Sequence, residues 1–227
     1  RDVAPSRGLG DVYKRQVDMS KTGQLPVDLG ISIGRVVKGF LVSAIVGVVL
    51  GSAMGMSETA KELLLPTITT IRQIPMIAWI PLIILWAGIG EASKVIIIVI
   101  AAVFPILVNT MSGITGTPKG YVEVAKLYKL GRWQTFTKVF LPHALPQMLV
   151  GLKLGLGVSW MAVVASELIA ATSGIGYRMN EARSLMRSDK VIVCMIVIGI
   201  VGILMDKVIS VIFEKITPWI QINEKKA

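Results

Sequence analysis

Residues 121–142 read YVEVAKLYKLGRWQTFTKVFLP, a basic stretch lying between two long apolar blocks. Its reading decides the fold. The flanking blocks are long and apolar enough to cross a bilayer, so a charged segment between them is an aqueous loop joining membrane spans. It holds Lys126, Lys129, Arg132 and Lys138, with Lys119 just before it, against the single acid Glu123. Such a basic excess places a loop on the cytoplasmic side.

Outward from this loop, five apolar blocks cover 31–56, 63–88, 92–111, 145–169 and 191–213. Each is near or above the roughly 20 residues that carry a helix across about 30 Å of hydrocarbon. They are continuous rather than alternating, and an open sheet cannot satisfy its backbone in lipid, so the blocks are read as helices. The whole composition agrees. The 227 residues are 53% hydrophobic with mean hydropathy +0.70, above the roughly 45–50% apolar content of soluble domains. Net charge is +10, but in such a chain basic residues serve cytoplasmic loops and anionic headgroups. The bilayer is therefore the expected partner, and nucleic acid is not.

The second block carries Pro66, Pro75 and Pro81, which predict a bent or broken span. Arg72 and Gln73 fall in its middle third. Either they face a protein-lined cavity on the translocation path, or the polar part stays near the interface. Gly47, Gly51 and Gly55 form a stripe with four-residue spacing, repeated by Gly151 and Gly155, and such stripes let helices approach closely. Close packing within the chain is the expected use.

Few residues suggest chemistry. The one cysteine, Cys194, lies in an apolar run and reads as a packing residue; no Cys/His spacing suits a metal. No G-x-x-x-x-G-K-[ST] occurs, so the chain cradles no nucleotide phosphates by a P-loop, and neither a nucleophile elbow nor HExxH is present. No catalytic residues and no cofactor are assigned. Within the spans, Glu167 and Trp160 are candidates for the translocation path, Glu167 with helix-to-loop hydrogen bonding as its competing role. Asp206, next to Lys207, reads as reaching the interface, and His143 as structural.

Orientation follows by parity. With the 121–142 loop inside, the C-terminal Lys215, Lys225 and Lys226 are inside too. The connection 171–190 is then outside, although it holds Arg178, Arg183, Arg187 and Lys190 against Glu181 and Asp189. The chain before Ile31 is also outside, which calls for a preceding span that is missing. Residues 1–16, RDVAPSRGLGDVYKRQ, resemble translated adapter sequence, so 1–24 are set apart as a non-native or truncated segment. The remainder divides into a membrane domain at 25–219 with its loop at 114–142, and a cytoplasmic tail at 220–227.

The loop resembles the cytoplasmic signature of the membrane subunits of binding-protein-dependent ABC importers: E-A-A, three residues, Gly, nine residues, then I-x-L-P. Glu123, Val124 and Ala125 begin it, and Val139, Leu141 and Pro142 fall in register at its end. The expected glycine position holds Lys129, with Gly131 two residues later, which leaves the turn open to a shift. The stretches IRQIPMIAWIPLIILWAGIG and WMAVVASELIAATSGIGYRMNEAR look like the nitrate, sulfonate and taurine branch.

The resemblance implies an all-α polytopic bundle of the type I importer permease kind, with five spans visible and a truncated first span. It implies a non-catalytic subunit of the plasma (inner) membrane that forms the path for a small anion. It further implies docking of Glu123, Val124, Ala125, Lys126, Leu127, Lys129, Leu130, Gly131, Arg132, Leu141 and Pro142 on a separate ATP-binding subunit, which would hold the ATP and magnesium. An external solute-binding protein and a second copy of the permease complete the expected assembly. A permease for another solute, such as a vitamin precursor, or an ATPase-independent transporter or channel are the competing readings.

Overall fold

The computed structural model describes residues 24–217, so the readings of 1–16 and of the lysines at 225 and 226 lie outside the described residues. The chain runs through α1 (Gln24–Met56), α2 (Glu58–Arg72), α3 (Met76–Ala87), α4 (Glu91–Thr115), α5 (Lys119–Leu127) and α6 (Arg132–Thr135). A π-helical turn (Phe136–Phe140) leads into α7 (Leu141–Ala170), followed by α8 (Ile175–Ser184) and α9 (Ser188–Ile216). No strand occurs among the described residues.

Four segments are long and apolar enough to cross a membrane: α1, α4, α9 and the continuous run Arg132–Ala170. Of the three prolines of the second block, Pro66 and Pro81 lie inside helices and only Pro75 stands at a break. Pro75, with no N–H to give a preceding turn, starts α3, and α2 and α3 meet at 95°. Together they are long and apolar enough for a fifth, broken span or a re-entrant loop.

The core is organised around α4, which packs between α1 and α7. Both glycine stripes press on it. A Cβ at Gly47 would lie 2.8 Å from Ile106 Cγ2, and one at Gly51 would lie 2.6 Å from Leu107 O. From the other side, a Cβ at Gly151 would meet Asn109 Cβ at 2.7 Å, and one at Gly155 would meet Ile106 Cγ1 at 2.7 Å. The stripes are thus used within the chain, as their spacing predicts. Gly157 and Gly34 face open space instead. Lipid is as apolar as these side chains, so close van der Waals contact, rather than escape from water, holds such helices together. Cys194 is fully buried among Val193 and Val197 of the core, a packing residue as expected.

Leu41, Ile45 and Val49 form an exposed apolar row on α1, and most of the apolar surface of α9 is likewise open. A soluble domain rarely exposes faces of this extent; a bilayer covers them at no cost.

Candidate functional site

At one end of the bundle, α5, α6 and the π turn form the loop that the sequence singles out. Ala125 O accepts from Leu130 N at 3.0 Å and Lys126 O from Lys129 N at 2.9 Å, the paired bonds that close a helix through a left-handed residue. That residue is Lys129, with φ +50°. The turn is therefore not shifted to Gly131, which has φ −66° and ψ 162° and caps α6. The position that the signature reserves for glycine is the one where an L-residue is strained.

The loop residues divide by exposure. Glu123, Val124, Lys126, Leu127, Lys129, Gly131 and Arg132 lie in the open, joined by Tyr121, Tyr128 and Trp133. Ala125 is buried, while Val122, Leu130 and Leu141 are half-buried. Of the apolar residues expected to dock on a partner, Leu127 is the most exposed, and the three exposed aromatics were not singled out from the sequence. Pro142 and His143 rim a pocket of about 390 Å³ between α5 and the start of α7, floored by Ala125.

The second arm of the loop is not a free helix. Leu141 N donates back to Phe136 O, a five-residue step that widens the backbone ahead of Pro142, whose ring would otherwise press on the preceding turn. Arg132 and Ala170 thus lie on one continuous rod.

Above the loop, the break between α2 and α3 opens a cavity of about 410 Å³. Arg72, Trp79, Phe104, Asn109 and Val158 are among its lining residues. Asn109 accepts from Gln147 Nε2 at 2.8 Å, which places a polar pair at the cavity margin. Trp160 points elsewhere: it is buried, and its Nε1 donates to Ile198 O at 3.1 Å, joining α7 to α9.

Glu167 belongs to a buried polar network at the opposite end. Arg35 Nη1 donates to its Oε1 at 2.6 Å, and Gly176 N donates to its Oε2 at 3.0 Å. Ser32 Oγ lies 2.8 Å from Oε1 and accepts from Ile175 N at 3.0 Å. Arg35 also grips Glu91 with its remaining nitrogens and donates to Ser173 O at 2.8 Å. Asp28 takes Gly174 N at 3.1 Å and Arg178 Nη2 at 2.8 Å, and Arg178 Nη1 reaches Glu181 at 2.9 Å. The amides of Gly174 and Gly176, on either side of the Ile175 N bond to Ser32 Oγ, thus point at carboxylates, which is where a helix N-terminus favours negative charge. Burial works against the Arg178 charge, but the hydrogen bond and field of Asp28, aided by Glu181, outweigh it and raise its pKa. Of the basic residues in 171–190, Arg178 is thus paired with carboxylates, while Arg183 Nη2 donates to Asn180 Oδ1 at 2.8 Å. Asp206, read as reaching the interface, pairs with Lys153 at 3.2 Å.

Comparison with known proteins places this architecture. The taurine transport system permease of Escherichia coli is 35% identical over 191 residues, 84% of this chain and 70% of that protein. A nitrate import permease of Synechocystis is 34% identical over 194 residues, 86% of this chain and 70% of that protein. In structure, an amino acid ABC transporter crystallised with histidines matches with TM-score 0.70 at 16% identity, covering 88% of this chain and 97% of that one. That likeness speaks for the fold. The family of inner membrane components of binding-protein-dependent transport systems matches residues 43–222. The chain belongs to that family: it is a multi-pass, non-catalytic permease of an ABC transport system.

Proposed function

We propose that this permease imports a small anion, an aliphatic sulfonate, taurine or nitrate, and is driven by a separate ATPase that docks on the 114–142 loop. The loop end of the bundle is the cytoplasmic side, and the α8 end faces an external solute-binding protein. A second copy of the chain completes the path, and ATP and magnesium are held by the ATPase. Relatives named for taurine and nitrate support the anionic class. The cavity holding Arg72 and Asn109 supports a path at the level of the broken span.

One observation carries the coupling reading. The exposed Tyr121, Leu127, Tyr128 and Trp133 sit amid Lys126, Lys129 and Arg132, beside a rod that runs without a break into α7. Apolar and aromatic residues left in water at the end of a membrane bundle call for a protein partner. Because α7 also forms part of the cavity wall through Val158, a pull on the loop moves that wall.

The test is co-purification of the ATPase with Glu123→Arg and with Leu127→Asp. Both substitutions should lose the ATPase while the permease remains folded in the membrane. Retained assembly with transport-coupled ATP hydrolysis would refute the docking surface.

A further inference from the structure

Lys153 and Asp206 form an ion pair that the loop and the cavity do not use. They face one another from α7 and α9, 3.2 Å apart, with side chains 43% and 55% exposed. Lys153 stands 12 residues beyond Leu141 and Asp206 10 residues before Ile216, so both lie about 15–18 Å from the loop end of their helices. Phe104 and Asn109 of the cavity stand 11 and 6 residues before Thr115, about 9–17 Å from the same end. The ion pair and the cavity thus lie at a similar distance from the loop end of the bundle, within helices long and apolar enough to cross a membrane.

A half-open ion pair at that depth is costly against lipid and tolerable against water or protein. Lys153 stands about 140° round the helix from Val158 of the cavity wall. Between them the same side of α7 is open, through Val150, Leu154, Gly157 and Met161. This face therefore continues from the cavity at one margin to Lys153 at the other, with a cation at each end, Arg72 and Lys153.

We propose that Lys153 reads the charge of the anion during passage and that Asp206 is the built-in occupant that the anion displaces. This rests on the anion-permease reading above. With the path empty, Asp206 neutralises Lys153 and spares an unpaired cation in a low-dielectric layer. An incoming sulfonate or nitrate offers the same oxygen acceptors to the ammonium, so exchange preserves the contact. Asp206 stays close enough to repel the bound anion, which keeps the stop weak and lets the solute leave.

A purely structural tie between α7 and α9 predicts a different pattern of variants. The experiment is initial-rate uptake of radiolabelled taurine, ethanesulfonate or nitrate into proteoliposomes holding the assembled permease, ATPase and receptor. Lys153→Gln should cut uptake about tenfold, the worth of one charge-assisted contact, while Lys153→Arg keeps most of it. Asp206→Asn should move the other way on affinity, lowering KM and slowing kcat because release is impeded. Exchanging the two (Lys153→Asp with Asp206→Lys) should not restore anion uptake. Equal losses in both single variants with rescue by the exchange would overturn the proposal, as would normal uptake by Lys153→Gln. If Lys153→Gln fails to assemble, Asp206→Asn decides alone, and an unchanged or raised KM overturns the proposal. If the wild-type assembly hydrolyses ATP with its receptor yet takes up none of the three anions, the anion reading itself fails and this proposal goes with it.

Discussion

Lys129 is an L-residue at φ +50°, in the one backbone region that glycine enters without steric cost. The signature puts glycine there for this reason, and the bonds to Ala125 O and Lys126 O keep the turn in place with lysine. Strain at this one residue should be recoverable. Lys129→Gly is expected to stabilise the loop by about 1 kcal/mol at most, since glycine also gives up more freedom on folding. Thermal unfolding of the purified permease, together with protease resistance of the 114–142 loop, measures it. A lower melting temperature would mean that the lysine side chain makes a contact worth more than the strain. The position was legible because a family pattern marks it; nothing in the residues YKLGR themselves separates Lys129 from Gly131 as the turning point.

At the scale of elements, α8 is held by its first turn. Gly174 has φ +109°, and a Cβ there would strike the Glu167 carboxylate. At Gly176 a Cβ would come within 2.6 Å of Val164 O, a backbone atom that cannot swing aside. Gly176→Ala should therefore cost about 1–3 kcal/mol as overpacking. Glu167→Gln should cost about 3 kcal/mol by leaving Arg35 short of a buried partner. Both should make the α7–α8 connection newly sensitive to protease in membrane vesicles; unaltered resistance in both would show that α8 is held by other contacts. Much of the element layout was readable in advance. Pro75 marked the break between α2 and α3, though Pro66 and Pro81 lie inside those helices, and glycine spacing located the tight helix pairs, because both effects act over a few residues. The network around Glu167 was not readable. Its partners Ser32 and Arg35 lie 135 and 132 residues away in sequence, and no local period connects them. The only trace is the S-G-I-G run itself, where two glycines beside a helix start signal a close approach.

At the scale of the whole molecule, one side chain sits between the two halves of the packing. Ile106 is fully buried in α4, and both Gly47 of α1 and Gly155 of α7 press on it. Without a hydrophobic drive inside the bilayer, the bundle depends on such interlocking contacts, so their loss should be felt on both sides at once. Gly155→Ala should cost about 1–3 kcal/mol, because the new methyl would fall 2.7 Å from Ile106 Cγ1 and 2.8 Å from its Cδ1. Ile106→Ala should cost about 2–5 kcal/mol through the space it leaves. The double variant removes the atoms that the new methyl would hit, and the next neighbour, Ala102 O, is 3.4 Å away, an ordinary contact distance. Its loss should therefore fall short of the sum by about 1 kcal/mol or more, a coupling that distant sites do not show. Unfolding of the four proteins in lipid nanodiscs gives that difference directly. Additive losses would mean that α7 meets α4 through other side chains, and that Ile106 does not join the two interfaces.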